Sequence, residues 1–578
     1  MKNRLTQVHI RNFRAIAGPV DINLAPITIL YGPNSAGKSA VYGVIDLVGR
    51  LCLHGQATFK DNEDLLRAMR NHDYTQTMTI GLSGQFYKSS YYDINNAGHI
   101  AELARTLEEN LPGLASYLHI VQPHNENLPL DIRVDWSVNY ADDRWDSDTG
   151  ELRGKRRGPS AYPVQISING TPLVTITQDT LKFNLCHPAI EIVNTDLQDH
   201  NESFPTLFDR IYGTDPESIY VDENILSISL WHYFANGFLD LDGGLARDPT
   251  SADQVILLLM RTVIRSLIMI PFRYIASSAL DFTHIGPVRK MPTDKDLTFL
   301  SEHLATDKDR TFLFENPEGS SFHVYADLNN SEWSWKDGSQ AWKELANSGH
   351  NYIPVLTYLL TFSEDHRPRT LITLVNDWLN APQRLNLKYR ICASHSDVRV
   401  HGTNDSSEIA GDRQRPTSTV PDRITFIDLH EDGLNERVSV SNVGAGIPQL
   451  VPVLTAGFLE NQLFIEQPEL HLHPALQTVV ADFFISRYNN SKTSFVVESH
   501  SEYLALRLLR RIRETSAADI RHREFQLEPT QVAFYYFNPT AEGTDIMHLR
   551  VSPEGEFLDR WPRGFFAERE AELFGEDD

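Results

Sequence analysis

Apolar positions along this chain fall into runs of two periods, and their order predicts an α/β protein. The opening stretch, MKNRLTQVHIRNF, alternates apolar and polar residues like a strand with one wet face. Ile27, Ile29 and Leu30 then form a short apolar run suited to a buried strand. Val41, Val44, Ile45, Val48 and Leu51 follow at helical spacing. Far along the chain, residues 463–465, 495–497 and 532–537 repeat the buried-strand pattern. Between these, residues 164–168 and 174–176 read as short strands, and 355–362 and 371–379 as helices. Residues 255–270 are the most membrane-like stretch, but Arg261 and Arg265 fall in its middle, so a buried or amphipathic core helix is expected there.

Between the first buried strand and the first helix lies Gly32-Pro-Asn34-Ser35-Ala-Gly37-Lys38-Ser39, a complete GxxxxGKS. Phosphate binding requires this order. Glycines let the backbone turn its N–H groups inward, and the following helix adds the positive end of its dipole. Lys38 is placed to reach the β- and γ-phosphates of ATP, and Ser39 to ligate Mg²⁺.

The second cluster begins at Ser441-Asn-Val-Gly444-Ala-Gly446-Ile-Pro448-Gln449, whose paired glycines leave N–H groups open to an anion. Pro448 suits a first helical turn. The strand at 463–465 runs into Glu466-Gln467-Pro-Glu469-Leu-His471-Leu-His473-Pro474, and an apolar strand ending in a carboxylate is what a P-loop NTPase needs beside Mg²⁺. The strand at 495–497 ends in Glu498-Ser-His500-Ser501.

These elements, in this order, resemble the ABC-type ATPase heads of RecF, SMC and overcoming-lysogenization-defect (OLD) proteins. The resemblance implies a Walker A loop at 32–39, a signature at 441–449, a Walker B acid at Glu466, a D-loop at 469–474 and a switch histidine at His500. Ile10-Arg-Asn-Phe13-Arg14 is similar to the N-terminal strand of such heads. A narrower likeness rests on the Glu-Gln-Pro-Glu-Leu-His-Leu-His-Pro run, His284-Ile-Gly-Pro287-Val-Arg289 and Trp561-Pro562-Arg-Gly564-Phe565-Phe566. These resemble bacterial AAA-type ATPases with a short WPxGFF-type C-terminal domain found in phage-defence systems (Septu-type).

One departure bears on catalysis. Where most ABC heads read Asp-Glu, this chain has Glu466 and Gln467, and a glutamine orients water without accepting a proton. Glu469 is the candidate replacement base if the Pro468 turn swings it inward; otherwise hydrolysis is slow or triggered by a partner. His471 and His473 read as D-loop residues at a dimer seam in preference to a metal pair. With one Walker A loop per chain, the family geometry implies a homodimer that sandwiches ATP.

The interval between the two motif clusters lacks the sustained heptads of an SMC arm and reads as a folded α+β insertion. Residues 139–160 read as a loop, with Arg153, Lys155, Arg156 and Arg157 open to nucleic-acid contact or simply solvated. Residues 401–419 read as a polar connection. Arg507, Arg510, Arg511 and Arg513 are expected on a solvated helical face, with nucleic acid or a partner as the alternative. Asp240 and Asp242 read as loop residues, and no nuclease domain is expected in the chain. The expected organisation is an ABC-type P-loop NTPase head in two halves, 1–95 and 421–540, with the insertion at 96–420 and a small C-terminal extension at 541–578.

Composition adds limits. A net charge of −25 argues against a surface coated in nucleic acid, while leaving room for a local basic groove. Cys52, Cys186 and Cys392 are far apart without ligand spacing, which points to a reducing cytoplasm with no disulfide framework or cysteine zinc site. No membrane association is expected. The resemblance implies an ATP switch that dimerises through its heads and regulates a separate effector, plausibly an HNH or other nuclease, in anti-phage defence. The alternatives are a RecF-like DNA-repair ATPase that binds nucleic acid directly and a scaffold in which ATP is structural.

Overall fold

In a computed structural model of the chain, the residues described are 3–54, 77–87, 107, 109–118, 129–141, 158–176, 180–197, 203–206, 219–222, 225–229, 251–289, 298–300, 311–315, 321–325, 334–347, 370–397, 423–431, 437–438, 442–518 and 524–561. The first part supplies β1 (Arg4–Arg11), β2 (Val20–Asn23), β3 (Ile27–Tyr31), α1 (Ala40–His54), β4 (Met78–Phe86), α2 (Pro112–Tyr117) and β5 (Leu130–Ala141). Next come β6 (Gly158–Ile168), β7 (Thr171–Ile176), β8 (Thr180–Asn184), α3 (Pro188–Leu197), β9 (Ile219–Asp222) and β10 (Ile225–Ser229). The middle continues with α4 (Ser251–Leu280), β11 (Phe282–Ile285), β12 (Thr298–Leu300), β13 (Thr311–Glu315), β14 (Ser321–Tyr325), α5 (Ser339–Asn347), α6 (Leu371–Asn380) and β15 (Tyr389–Asp397). The last part gives β16 (Arg423–Glu431), β17 (Arg437–Val438), α7 (Gly446–Leu459), β18 (Gln462–Glu466), α8 (Pro474–Ser491), β19 (Ser494–Glu498), α9 (Glu502–Ser516), β20 (Val532–Thr540) and β21 (Gly543–Leu549).

Two large sheets result. One is antiparallel, in the order β2-β1-β4-β5-β6-β7-β8-β10-β9. The other runs β11-β18-β19-β3-β20-β21 and is parallel except at β21. Its central strands are buried along nearly their whole length, which is why they read as continuous apolar runs. α8 joins β18 to β19, and α9 lies between β19 and β20, so the parallel order follows from helical crossovers.

Alternation along β3 divides the interior. Leu30 belongs to the core built with α1, α4 and the antiparallel sheet, while Ile27, Ile29 and Tyr31 belong to the core built with α7, α8 and α9. The helical positions Val41, Val44, Ile45, Val48 and Leu51 of α1 are all fully buried in the first of these. β3 therefore serves as the shared wall of both cores.

The expected elements at 164–168, 174–176, 371–379, 463–465, 495–497 and 532–537 all fall inside strands or helices of the same type. Residues 255–270 lie within α4, and among the described residues no helix is long and apolar enough to cross a membrane. The loop expected at 139–160 is shorter than its sequence suggested. Asn139 pairs with Ser160 and Ala141 with Gly158, because the β5–β6 ladder extends through both polar flanks. Residues 142–157, with their basic run, lie outside the described residues, as do Asp240, Asp242, 355–362, 401–419 and the stretch from Pro562 onward.

Candidate nucleotide site

The carboxyl ends of the parallel strands gather the site, as expected of an open α/β sheet. β3 leads directly into the loop 32–39, and α1 follows. Gly32 has φ +141°, and a Cβ there would lie 2.5 Å from the carbonyl oxygen of Phe537 on β20. Gly37, at φ +96°, brings the loop within 3.0 Å of the Ala15 Cβ, measured from an added Cβ. Only glycine meets both demands, since other residues are strained at such φ values. The β21 hairpin clamps the same loop: Thr544 donates its hydroxyl to Ala36 O at 2.7 Å and its N–H to Ala15 O at 2.9 Å.

Lys38 is folded into this loop, 2% exposed, with Nζ donating to Gly32 O and Pro33 O at 2.9 Å each. Its third partner is Glu498, 3.5 Å away at the end of β19. Ser39 donates its hydroxyl to the other oxygen of that carboxylate at 2.7 Å. Burial lowers the Lys38 pKa and raises that of Glu498, and in each case the opposite charge works against the shift. Asn34 and Ser35 are exposed at the loop's tip, Ser35 at φ 62°.

Glu466 ends the neighbouring strand β18, level with Glu498 in the parallel register. Its Oε1 accepts from His284 Nε2 at 2.7 Å, and its backbone oxygen accepts from the Arg289 guanidinium at 2.8 Å. Arg289 is 1% exposed, and burial brings its pKa down to about 10 against the pull of Glu469 and Glu466. Gln467 follows at φ 46°, its N–H bonded to Glu498 O at 2.7 Å. Glu469 accepts the backbone N–H of His500 at 2.7 Å, and burial raises its pKa. The Pro468 turn thus delivers Glu469 to the backbone of the strand-end loop. His500 is half-buried, and desolvation followed by the Lys38 charge lowers its pKa, favouring a neutral imidazole.

Gly444 lies open at the start of α7, with nothing within 4 Å of an added Cβ. Gly446 is closer in, 3.2 Å from His471 O by the same measure, so the glycine turn abuts the 469–474 segment. Gln449 points elsewhere: it is 5% exposed, and its amide donates to Arg289 O at 2.9 Å. Ser441 lies outside the described residues. His473 caps α8, its ring accepting the Ala475 N–H, and His471 is exposed at φ 62°. Among the described residues no cluster of three or more His, Cys, Asp or Glu is arranged to hold a metal ion.

Arg510 and Arg513 lie on the exposed helical face that was expected, while Arg507 and Arg511 of α9 turn inward. Arg511 is buried, and both it and Arg507 bind Asp482 on the facing α8. Arg510 pairs with Glu514, and Arg513 donates to Glu554 O and Gly555 O. A helix reading that ignores its neighbour misses this, because the complementary acid is supplied by α8.

Four contributors were not singled out as site residues from sequence: Glu498, His284, Arg289 and Thr544. Glu498 carried the same signal as Glu466, an apolar strand ending in a carboxylate. His284 is the penultimate residue of β11, beside β18, a pairing visible only in the sheet.

Residues 386–505 match the family described as the AAA ATPase domain. The match takes in Glu466, Glu498 and His500 but not the loop 32–39. No curated protein matches the chain significantly. Among solved structures, an SMC head bound to the C-winged helix domain of ScpA is 8% identical with TM-score 0.34, covering 95% of this chain and 98% of its own. An SMC head domain with an extended coiled coil, bound to the C-terminal domain of ScpA from Pyrococcus furiosus, has 8% identity and TM-score 0.32 over 95% and 96%. The SMC head domain from Thermotoga maritima has 9% identity and TM-score 0.29 over 95% and 100%. Scores this low carry no argument; the fold stands on its strand order. The domain match and the glycine-lysine-serine loop together support an ATP-binding ATPase.

Proposed function

We propose that the chain is a Mg²⁺- and ATP-dependent switch that closes on a second copy of itself and governs a separately encoded effector, a nuclease, in anti-phage defence. The observation that carries the nucleotide part is the loop itself. A nearly inaccessible lysine is held by two loop carbonyls beside a serine hydroxyl, under a glycine that no other residue can replace. Ser39, Glu466 and Glu498 offer hard oxygen donors at adjacent strand ends, a set that fits Mg²⁺. Magnesium bound there neutralises phosphate charge. Lys38 turns from the loop carbonyls to the phosphates, and the amides of 32–39 fix their orientation.

Slow turnover is part of the reading. Gln467 has no proton-accepting group, and Glu469 is engaged with the His500 amide. Closure on a second copy is supported by the exposed Gly444, which has open space beside it at the turn before α7 where a γ-phosphate held on another chain could approach. The defence role and the nuclease partner rest on the sequence resemblance alone. A RecF-like DNA-binding role gains no support from Arg507 and Arg511 of α9, which are bound to Asp482 within the fold.

Sedimentation velocity with and without Mg·ATP tests the proposal, using wild type and Lys38→Ala. The wild type dimerises with ATP and turns over below about ten per second, the enzymatic median; Lys38→Ala does neither. Equal sedimentation with and without nucleotide, or a Lys38→Ala variant that still responds to it, overturns the switch.

A further inference from the structure

We infer that Glu498, at the end of β19, is the acid that orients Ser39 toward magnesium, and that Glu466, aligned with that role by sequence, serves the site from the second position. The inference rests on the ATP-site reading above and deepens it. A serine hydroxyl has one proton and two lone pairs. To ligate a cation it must turn its proton away, toward an acceptor that stays in place. Ser39 gives that proton to Glu498 Oε2 at 2.7 Å.

Glu498 is built for the task. It is 8% exposed, its backbone oxygen is tied to Gln467 N–H at 2.7 Å, and its second carboxylate oxygen faces Lys38 at 3.5 Å. Glu466 is held differently. Its Oε1 is bonded to His284 Nε2 at 2.7 Å, and the His284 ring is itself packed against Tyr42, tilted by 36° with centroids 4.3 Å apart. One strand-end carboxylate is therefore committed to the serine and the other to a histidine. Burial first, and then the charge of the nearby Glu466, raises the Glu498 pKa, while Ser39 and Lys38 oppose the shift. When Lys38 leaves for the phosphates, Glu498 keeps Ser39 and turns its freed oxygen toward the cation or a water bound to it. This gives the chain a second acid beside the nucleotide, on the strand between the P-loop strand and β18.

The test is a titration of the full chain with a fluorescent ATP analogue, in EDTA and at rising Mg²⁺. Wild type binds in EDTA and tightens with Mg²⁺. In Glu498→Gln the ratio of affinity in Mg²⁺ to affinity in EDTA falls at least tenfold; in Glu466→Gln it falls less. Ser39→Ala costs less of the Mg²⁺ enhancement when added to Glu498→Gln than when made in wild type, because the two side chains share a bond. Full enhancement in Glu498→Gln, or a greater loss in Glu466→Gln, overturns the assignment. Should Glu498→Gln fail to fold, Glu498→Asp reads the same bond from one methylene farther back, and unaltered enhancement there overturns it equally. A wild type that binds no nucleotide in EDTA or at any Mg²⁺ concentration sinks the ATP-site reading instead, so the two failures are separable.

Discussion

Replacing Gly32 by alanine tests whether the loop 32–39 is a rigid cradle. The added Cβ would stand 2.5 Å from Phe537 O and 3.0 Å from the Phe537 Cβ. An ordinary carbon–oxygen contact is about 3.4 Å, so the loop must retreat by roughly 0.9 Å from β20. The neighbour that must give way is backbone in a central position of the sheet, and overpacking of this kind costs about 1–3 kcal/mol. Holding alanine at φ +141° adds about 1–3 kcal/mol more. The loop relieves this by moving outward, which displaces the amides that face the phosphates. Losing two charge-assisted hydrogen bonds at about 1.5–3 kcal/mol each weakens ATP binding by roughly 10²–10⁴-fold. Gly170→Ala is the control: its φ is +77°, with nothing within 4 Å of an added Cβ, so it carries backbone strain without collision. Thermal melts with and without ATP, together with fluorescent-nucleotide titration, read both effects. Gly32→Ala with the wild-type melting temperature and affinity, or Gly170→Ala with an equal loss of binding, would refute the cradle.

Asp482→Ala removes the acid shared by Arg507 and Arg511 and leaves the buried Arg511 charge with only Glu514, so a loss of about 3–5 kcal/mol is expected in denaturant or thermal melts. The double variant Asp482→Leu with Arg511→Met should recover much of it, and a recovery no better than the single change would show that the charge is not what destabilises. His187 is fully buried, its Nδ1 accepting the Ala189 N–H at 3.0 Å, and burial lowers its pKa below 6.5. The sign follows from the unfolded chain binding the proton first: the neutral ring's stability is intact above about pH 6.5 and is lost as pH falls through the lower folded value. His187→Asn should flatten the fall in melting temperature between pH 7 and pH 5, and an unchanged slope would assign that fall to other groups.

Much of the parallel sheet was legible because β3, β18 and β19 are buried on both faces and therefore written as unbroken apolar runs, with a glycine loop or a carboxylate at the carboxyl end. The flanks of β5 and β6 were not legible. Asn139, Tyr140, Pro159 and Ser160 read as loop beside their polar neighbours, yet the ladder pairs Asn139 with Ser160, Tyr140 with Pro159 and Ala141 with Gly158, a tertiary pairing that local propensity does not show. Within the site, spacing located Lys38, Ser39, Glu466 and His500 because each follows a strand in a fixed order. It could not say which acid Ser39 touches, since Glu466 and Glu498 both end buried apolar strands, and only the sheet order, with β19 rather than β18 beside β3, puts Glu498 next to the serine. Gln449 taught the reverse lesson. Its place beside the glycine turn suggested a ligand contact, but α7 rotates it inward, onto Arg289.

The position of β3 between β19 and β20 has a consequence for how the molecule is made. Tyr31 donates its hydroxyl to Ser501 O, 470 positions away in the chain. A ribosome adding about 5–20 residues per second delivers that partner roughly half a minute to a minute and a half after β3 leaves the exit tunnel. During this interval a strand apolar on both faces has neither of its neighbours. The nascent chain must shelter it against α1 and the early antiparallel strands or a chaperone, and any product that stops before β19 leaves the phosphate loop attached to an unpaired, aggregation-prone edge.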